Sequence, residues 1–144
     1  MTLVDLLNEA KTTGNYAAMF EAVPYARMLG LEPQLDGDSL ITVMKFSEHT
    51  IGNPALPAIH GGAIGALLES AAIFELLYRA ETIVLPKTIT ITVDYLRSAG
   101  PHDTYARGTI TRHGRRVANV GVEAWQADRA QPVATAHAIF LVMS

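Results

Sequence analysis

His60-Gly61-Gly62-Ala63-Ile64-Gly65-Ala66-Leu67-Leu68-Glu69-Ser70-Ala71-Ala72-Ile73-Phe74-Glu75-Leu76-Leu77-Tyr78 is the stretch that decides the architecture. Leu67, Leu68, Ala71 and Phe74 recur at helical spacing, and Ile64, Ala66, Ala72, Ile73 and Leu76 fill most of the remaining faces. A helix apolar nearly all round belongs in the middle of a domain, not on its surface. That singles out Glu69. Its neighbours three and four positions away are Gly65, Ala66, Ala72 and Ile73, so its own helix offers it no cation. A carboxylate so placed must find a partner elsewhere, become neutral, or face a cleft kept open for a ligand. Glu75, with Arg79 one turn on, reads as an ordinary surface ion pair.

The start of the same helix carries a second signal. Gly61 and Gly62 have no side chains, so a ligand can approach the first free amides, which bear the positive end of the helix dipole. An oxygen acquiring negative charge is stabilised at such a place. The rise from Gly61 to Glu69 is ~12 Å, too long for both to touch one atom, so they serve different positions or different subunits.

Upstream, residues 47–59 read as an irregular loop carrying Gly52, Pro54 and Pro57, delivered straight into the buried helix. A loop in that position lines a site more often than it hangs slack. Asn53 either holds this loop or binds substrate, and His60 is either a general acid or, as we favour, a residue that caps the helix and fixes the loop. Earlier still, Leu3–Ala10 is an amphipathic helix, Ala17–Ala22 adds a turn or two after Gly14-Asn15, and Pro24–Gly30 leads into a strand near Leu31–Leu35. Asp36-Gly37-Asp38 makes a hairpin turn into a strand over Ser39–Phe46.

Downstream, Thr82–Thr92 returns to strand. From Thr88 the alternation is strict: Thr88, Thr90, Thr92 and Asp94 on one side, Ile89, Ile91, Val93 and Tyr95 on the other, the second side buried. Thr104–Arg112 and Val117–Trp125 form a hairpin turned by His113-Gly114-Arg115, and Pro132–Val142 closes the sheet. One early buried helix followed by consecutive strands indicates an α+β fold, an antiparallel sheet wrapped round that helix. Such a fold leaves an edge strand and a large surface uncovered, which a second copy would protect.

Length and composition bound the rest. The 144 residues read as a single domain, 1–144, whose first thirty form a helical segment packing on or capping the site. With 49% apolar and 17% charged residues the chain is a well-packed globule, and a net charge of −3 gives no general attraction to nucleic acid. Cysteine is absent, which excludes disulfides, thiolate metal sites and a cysteine nucleophile. The five histidines show no ligand spacing, so no metal is expected. The N-terminus has no basic start followed by an apolar run, and the long apolar stretch is interrupted by two glutamates. A soluble, cytoplasmic protein with no membrane partner is therefore expected.

Asn53-Pro54, His60-Gly61-Gly62 and Glu69, with an acid nine residues after the histidine, resemble the hotdog-fold acyl-CoA thioesterases of the phenylacetyl-CoA and 4-hydroxybenzoyl-CoA type. The likeness runs from about Leu35 to Val142; Pro57 stands where many members carry glycine, and Ser98 follows Tyr95-Leu96-Arg97 where proline is usual. The resemblance implies the Gly61 amide as oxyanion donor and Glu69 as base or nucleophile supplied across a dimer interface. It also implies Thr88 as the holder of the attacking water, with Thr90 and Tyr95 near the coenzyme. Arg112, Arg115 and Arg116 around Gly114 form the densest positive cluster in the chain. Guanidinium forks and free turn amides suit a polyphosphate, a solvated hairpin tip is the competing explanation, and the resemblance favours coenzyme A phosphates. No separate cofactor is implied, since coenzyme A is part of the substrate.

The expected function is hydrolysis of a small, medium-chain or aromatic acyl-CoA by a homodimer or dimer of dimers. Ala63, Ala66 and Ala72 are small enough to leave room for the acyl group. Two alternatives stand beside it: a hotdog hydratase or dehydratase, which would need a histidine on the buried helix, and a noncatalytic acyl-CoA-binding protein.

Overall fold

A computed structural model describes residues 1–79 and 84–143. Helix α1 (Leu3–Thr13) begins with a capping box: the Asp5 amide donates to Thr2 Oγ1 and the Thr2 amide to Asp5 Oδ2. It buries Leu7 and Ala10 and stops at Gly14, whose φ of 80° is the left-handed turn that ends a helix. After α2 (Ala17–Glu21) the chain forms α3 (Pro24–Leu29), a helix where the sequence suggested only a lead into strand. Pro24 at the first helical position supplies a preset φ, and Ala26 and Leu29 supply the buried face.

The strands are β1 (Leu31–Asp36), β2 (Ser39–Met44), β3 (Ile51–Asn53) and β4 (Ala58–Ile59), then, after helix α4 (Gly61–Arg79), β5 (Lys87–Tyr95), β6 (Thr104–His113), β7 (Val117–Trp125) and β8 (Ala134–Leu141). Six of them make one antiparallel sheet in the order β1-β2-β6-β7-β8-β5, and β3 and β4 pair separately. The loop over residues 47–59 is therefore less irregular than its Gly and Pro content suggested: it holds one 3-10 turn (Glu48–Thr50) and that small hairpin. Thr82 and Ile83, expected to begin a strand, lie outside the described residues.

Helix α4 lies across the sheet, mainly on β6, β2 and β7, and this is the hotdog arrangement that the resemblance implies. It is long and apolar enough by composition to cross a membrane, yet nine of its nineteen residues are buried in the fold. Leu67, Leu68 and Ala72 are fully buried against Ala106, Val120 and Phe140 in one core cluster, where each large apolar side chain contributes roughly 1.5–3 kcal/mol. The N-terminal helices dock on α4 through rings: Phe20 stacks on Phe74 with centroids 3.8 Å apart, and Tyr16 meets Tyr78 edge-on at 5.2 Å.

Two irregularities in the sheet bear on the site. A bulge in β5 breaks the expected alternation, because Thr88 pairs with Phe140 while Thr90 pairs with Ile139. Paired residues share a face, so Thr88 lies on the α4 side with the buried Phe140, and Thr90, Thr92 and Asp94 lie on the other. Nor is the apolar side of this strand buried in the chain: Ile91 and Val93 are half-buried, and Ile89 and Tyr95 are each 57% exposed. The cause is position, since β5 is an edge of the sheet, with no strand beyond it among the described residues. The second irregularity is a split. The β2–β6 ladder pairs only Thr42–Met44 with Thr104–Ala106, although both strands run further.

Candidate active site

The start of α4 is built by the loop before it. Where β2 ends, Asp103 takes Lys45 Nζ at 2.9 Å and the Phe46 amide at 2.7 Å, and the Lys45 ammonium beside it holds its carboxyl below the usual carboxylate range. Asn53 accepts the Ala55 amide on its side-chain oxygen at 3.1 Å and the Leu56 amide on its carbonyl, the hydrogen bonds of a residue that shapes a turn. The Ile59 amide donates to Ala99 O and the His60 amide to Thr50 O. These bonds fix the direction from which the chain enters the helix.

His60 then caps it. Its carbonyl accepts the Ala63 and Ile64 amides, and its ring Nδ1 accepts the Gly62 amide at 2.8 Å. An accepting Nδ1 means a neutral ring protonated on Nε2. The Gly62 amide is thereby used, whereas the Gly61 amide has no acceptor among the described residues. Tyr95, at the end of β5, donates its hydroxyl to the Gly61 carbonyl at 2.7 Å. Gly61, Ile64 and Tyr95 share a cavity of about 410 Å3 with Ile59, Arg97 and Val133. It is a recess of mixed polarity with the free Gly61 amide in its wall, at the positive end of a helix, and the chemistry it suits is stabilisation of an oxyanion.

Glu69 is half-buried on the face of α4 that also carries Gly62, Gly65, Ala66 and Ile73, none of them fully buried. It makes no hydrogen bond or ion pair among the described residues. Glu75 corrects the sequence reading. It is no surface residue: its side chain is 4% exposed, with Oε1 accepting Arg79 Nε at 2.9 Å and Oε2 buried without a partner among the described residues. Burial raises its carboxyl, an effect that the Arg79 hydrogen bond and the nearby Arg107 charge only partly offset. Gly108 makes this possible, because a Cβ there would stand 3.0 Å from Glu75 Cβ. The small residue on a distant strand was the signal for Glu75, and nothing near Glu75 in sequence carried it.

The coenzyme-site candidates do not come together in one chain. Lys87 pairs with Leu141, Leu141 with Val117, and the Val142 amide donates to Arg116 O, so the Arg112–Arg116 turn lies at the Lys87 end of β5. Tyr95 is at the other end, ~26 Å along the strand. Thr88 sits near the arginine turn, ~23 Å along the strand from Tyr95, and Thr90 is on the far face of the sheet. Arg112, Arg115 and Arg116 are exposed and make no ion pair among the described residues. The expected free amide of the turn is not free: Gly114 N–H donates to Val117 O at 2.9 Å, closing the hairpin. Sequence reasoning passed over Arg97, which lines the cavity and is tied by Nη1 to Pro132 O at 2.6 Å. It also missed Gln126, whose amide clamps Gly100 through both backbone groups and so holds the loop behind the cavity.

Against this geometry, the family model of the acyl-CoA thioesterase N-terminal domain matches residues 52–141, the span from the loop before α4 to the end of β8. The chain belongs to this acyl-CoA thioesterase family. Among solved structures, this thioesterase-family chain is similar to a Chromobacterium violaceum protein, 36% identical over 96% of each chain with a TM-score of 0.79. A phenylacetic acid degradation-related protein of Ralstonia eutropha is 27% identical, over 89% of this chain and 100% of that one, at a TM-score of 0.74. A Bacillus halodurans protein solved with CoA shares the fold at a TM-score of 0.76 and 20% identity, over 99% of this chain and 89% of that one. No curated protein matches the sequence.

Proposed function

We propose that this chain hydrolyses a small, medium-chain or aromatic acyl-CoA to the free acid and CoA, as a homodimer or dimer of dimers with the site between copies. The observation that carries the reading is the unused Gly61 amide at the head of α4, in the wall of a cavity, in a chain whose mid-helix Glu69 has no partner among the described residues.

In this reading the thioester oxygen accepts the Gly61 N–H, and negative charge grows on it as the carbonyl carbon becomes tetrahedral. Glu69 of a second copy takes a proton from the attacking water, or attacks directly to give an anhydride that water then opens. In the first route the carbon–sulfur bond then breaks and the thiolate leaves with the proton that the carboxyl took from water. In the second the thiolate leaves as the anhydride forms and takes its proton from solvent, and the water that opens the anhydride returns Glu69 and the free acid. A second copy is invoked because Gly61 and Glu69 of one helix are ~12 Å apart. The placing of Thr88 at the opposite end of β5 from Tyr95, which holds the Gly61 carbonyl, and the exposed face and edge at α4 and β5, favour the same arrangement. The exposed arginines of the β6–β7 turn supply cations for the phosphates of CoA, a ligand that a relative of the same fold holds. Thr90 and Tyr95 are the weaker members of the coenzyme set, since one lies on the far face and the other engages Gly61.

Release of CoA from a panel of short, medium-chain and aromatic acyl-CoAs tests the proposal. Turnover of at least one class is expected; binding without hydrolysis across the panel would favour the noncatalytic alternative.

A further inference from the structure

The unit joining Gly61 to Gly62 is held at both of its ends. Its oxygen accepts the Tyr95 hydroxyl at 2.7 Å, and its N–H donates to His60 Nδ1 at 2.8 Å. Two successive glycines would otherwise leave this part of the chain freer than any other pair of residues. The Tyr95 ring also fills the groove that Gly61 and Gly65, one turn apart, leave on the helix: a Cβ at Gly61 would stand 3.3 Å from the ring and one at Gly65 3.3 Å from the hydroxyl oxygen. The Gly61 N–H belongs to the preceding peptide unit, whose His60 carbonyl accepts the Ala63 and Ile64 amides; with the following unit held by Tyr95, both planes that flank Gly61, and with them the direction of its N–H, are set.

We infer that Tyr95 is the positioning residue of the oxyanion donor, aiming the Gly61 amide into the cavity through its hydrogen bond to the Gly61 carbonyl. This rests on the thioesterase reading for its effect on turnover, but not for its structural content. A donor aimed in advance stabilises the transition state without reorganising, while the ground-state carbonyl gains little, so the effect belongs in kcat and not in KM.

The test uses two variants of the full-length protein. Tyr95→Phe keeps the ring in the groove and removes only the hydroxyl. Gly65→Ala leaves Tyr95 intact but crowds its hydroxyl with a methyl, and alanine favours the helix, so folding is retained. Both are expected to lower kcat about tenfold with KM within about twofold of wild type, the size of one lost oriented hydrogen bond. Independently of turnover, the Gly61 and Gly62 amide resonances of 15N-labelled protein should shift, and their hydrogen exchange should quicken, in both variants. An unchanged kcat, a rise in KM alone, or unmoved glycine resonances would overturn the inference. Should the wild type hydrolyse none of the acyl-CoA panel, the proposed function fails, and the resonance and exchange measurements still decide the role of Tyr95.

Discussion

Glu69 and Glu75 stand six positions apart on α4 in opposite surroundings: Glu69 half-buried and unpaired among the described residues, Glu75 enclosed, bonded to Arg79 and kept from water. One helix thus separates a carboxylate with nothing to hold from one that is part of the core.

Glu69→Gln keeps the shape of the side chain and removes its charge. Steady-state CoA release should fall by about a hundredfold or more, the usual range for a lost general base, with the thermal midpoint essentially unmoved. Near-normal turnover would eliminate the mechanism proposed here.

Glu75 predicts a pH dependence of stability. Because burial raises its carboxyl in the folded state, the fold holds that proton more tightly than the unfolded chain does. The resulting stabilisation is complete in acid, below the unfolded value, and is lost as pH rises through the folded one. In Glu75→Gln nothing titrates at this site, so urea unfolding should show the variant gaining on wild type from acid to neutral pH. Parallel profiles for the two proteins would count against this.

Gly108→Ala would place a methyl 3.0 Å from Glu75 Cβ and 3.2 Å from Val120 Cγ1, in the helix–sheet interface. Overpacking of this kind costs about 1–3 kcal/mol, which chemical denaturation resolves as a lower midpoint at unchanged m-value.

Arg115→Ala and Arg116→Ala should raise KM for acyl-CoA by roughly three- to tenfold each, as expected for one exposed cation on a phosphate, with little change in kcat. The same variants should leave KM for the corresponding acyl-pantetheine, which lacks the nucleotide, where it was. Equal losses on both substrates would assign the arginines to the hairpin and not to the ligand.

The central helix, the glycines at its head, the hairpins and the sheet were legible in the sequence because each rests on a local pattern: apolar residues all round, Gly-Gly after a capping residue, alternation between turns. What the sequence concealed depends on pairings between distant residues. The burial of Glu75 is decided by Gly108 on another strand, and the face of Thr88 by a bulge that shows only against β8. The α3 helix is short enough for its proline to look like a breaker before it is seen as a first residue. Of the candidate site, the hydrogen bonds of His60 and Asn53 are local ones, to Gly62 and to Ala55, within reach of a reading of the neighbouring sequence. Tyr95, placed near the coenzyme by resemblance, also bonds the helix head, a contact spanning thirty-four positions that no spacing announces.

That the free donor at the head of α4 is main chain and not side chain limits how this protein can vary. Among the encoded amino acids proline alone lacks an N–H, so nearly every substitution at Gly61 retains the group and acts instead through its surroundings, crowding the Tyr95 ring. Substitutions in the walls, such as at Ile64, Leu96 and Val133, can by contrast enlarge or narrow what is admitted while the group they surround stays the same.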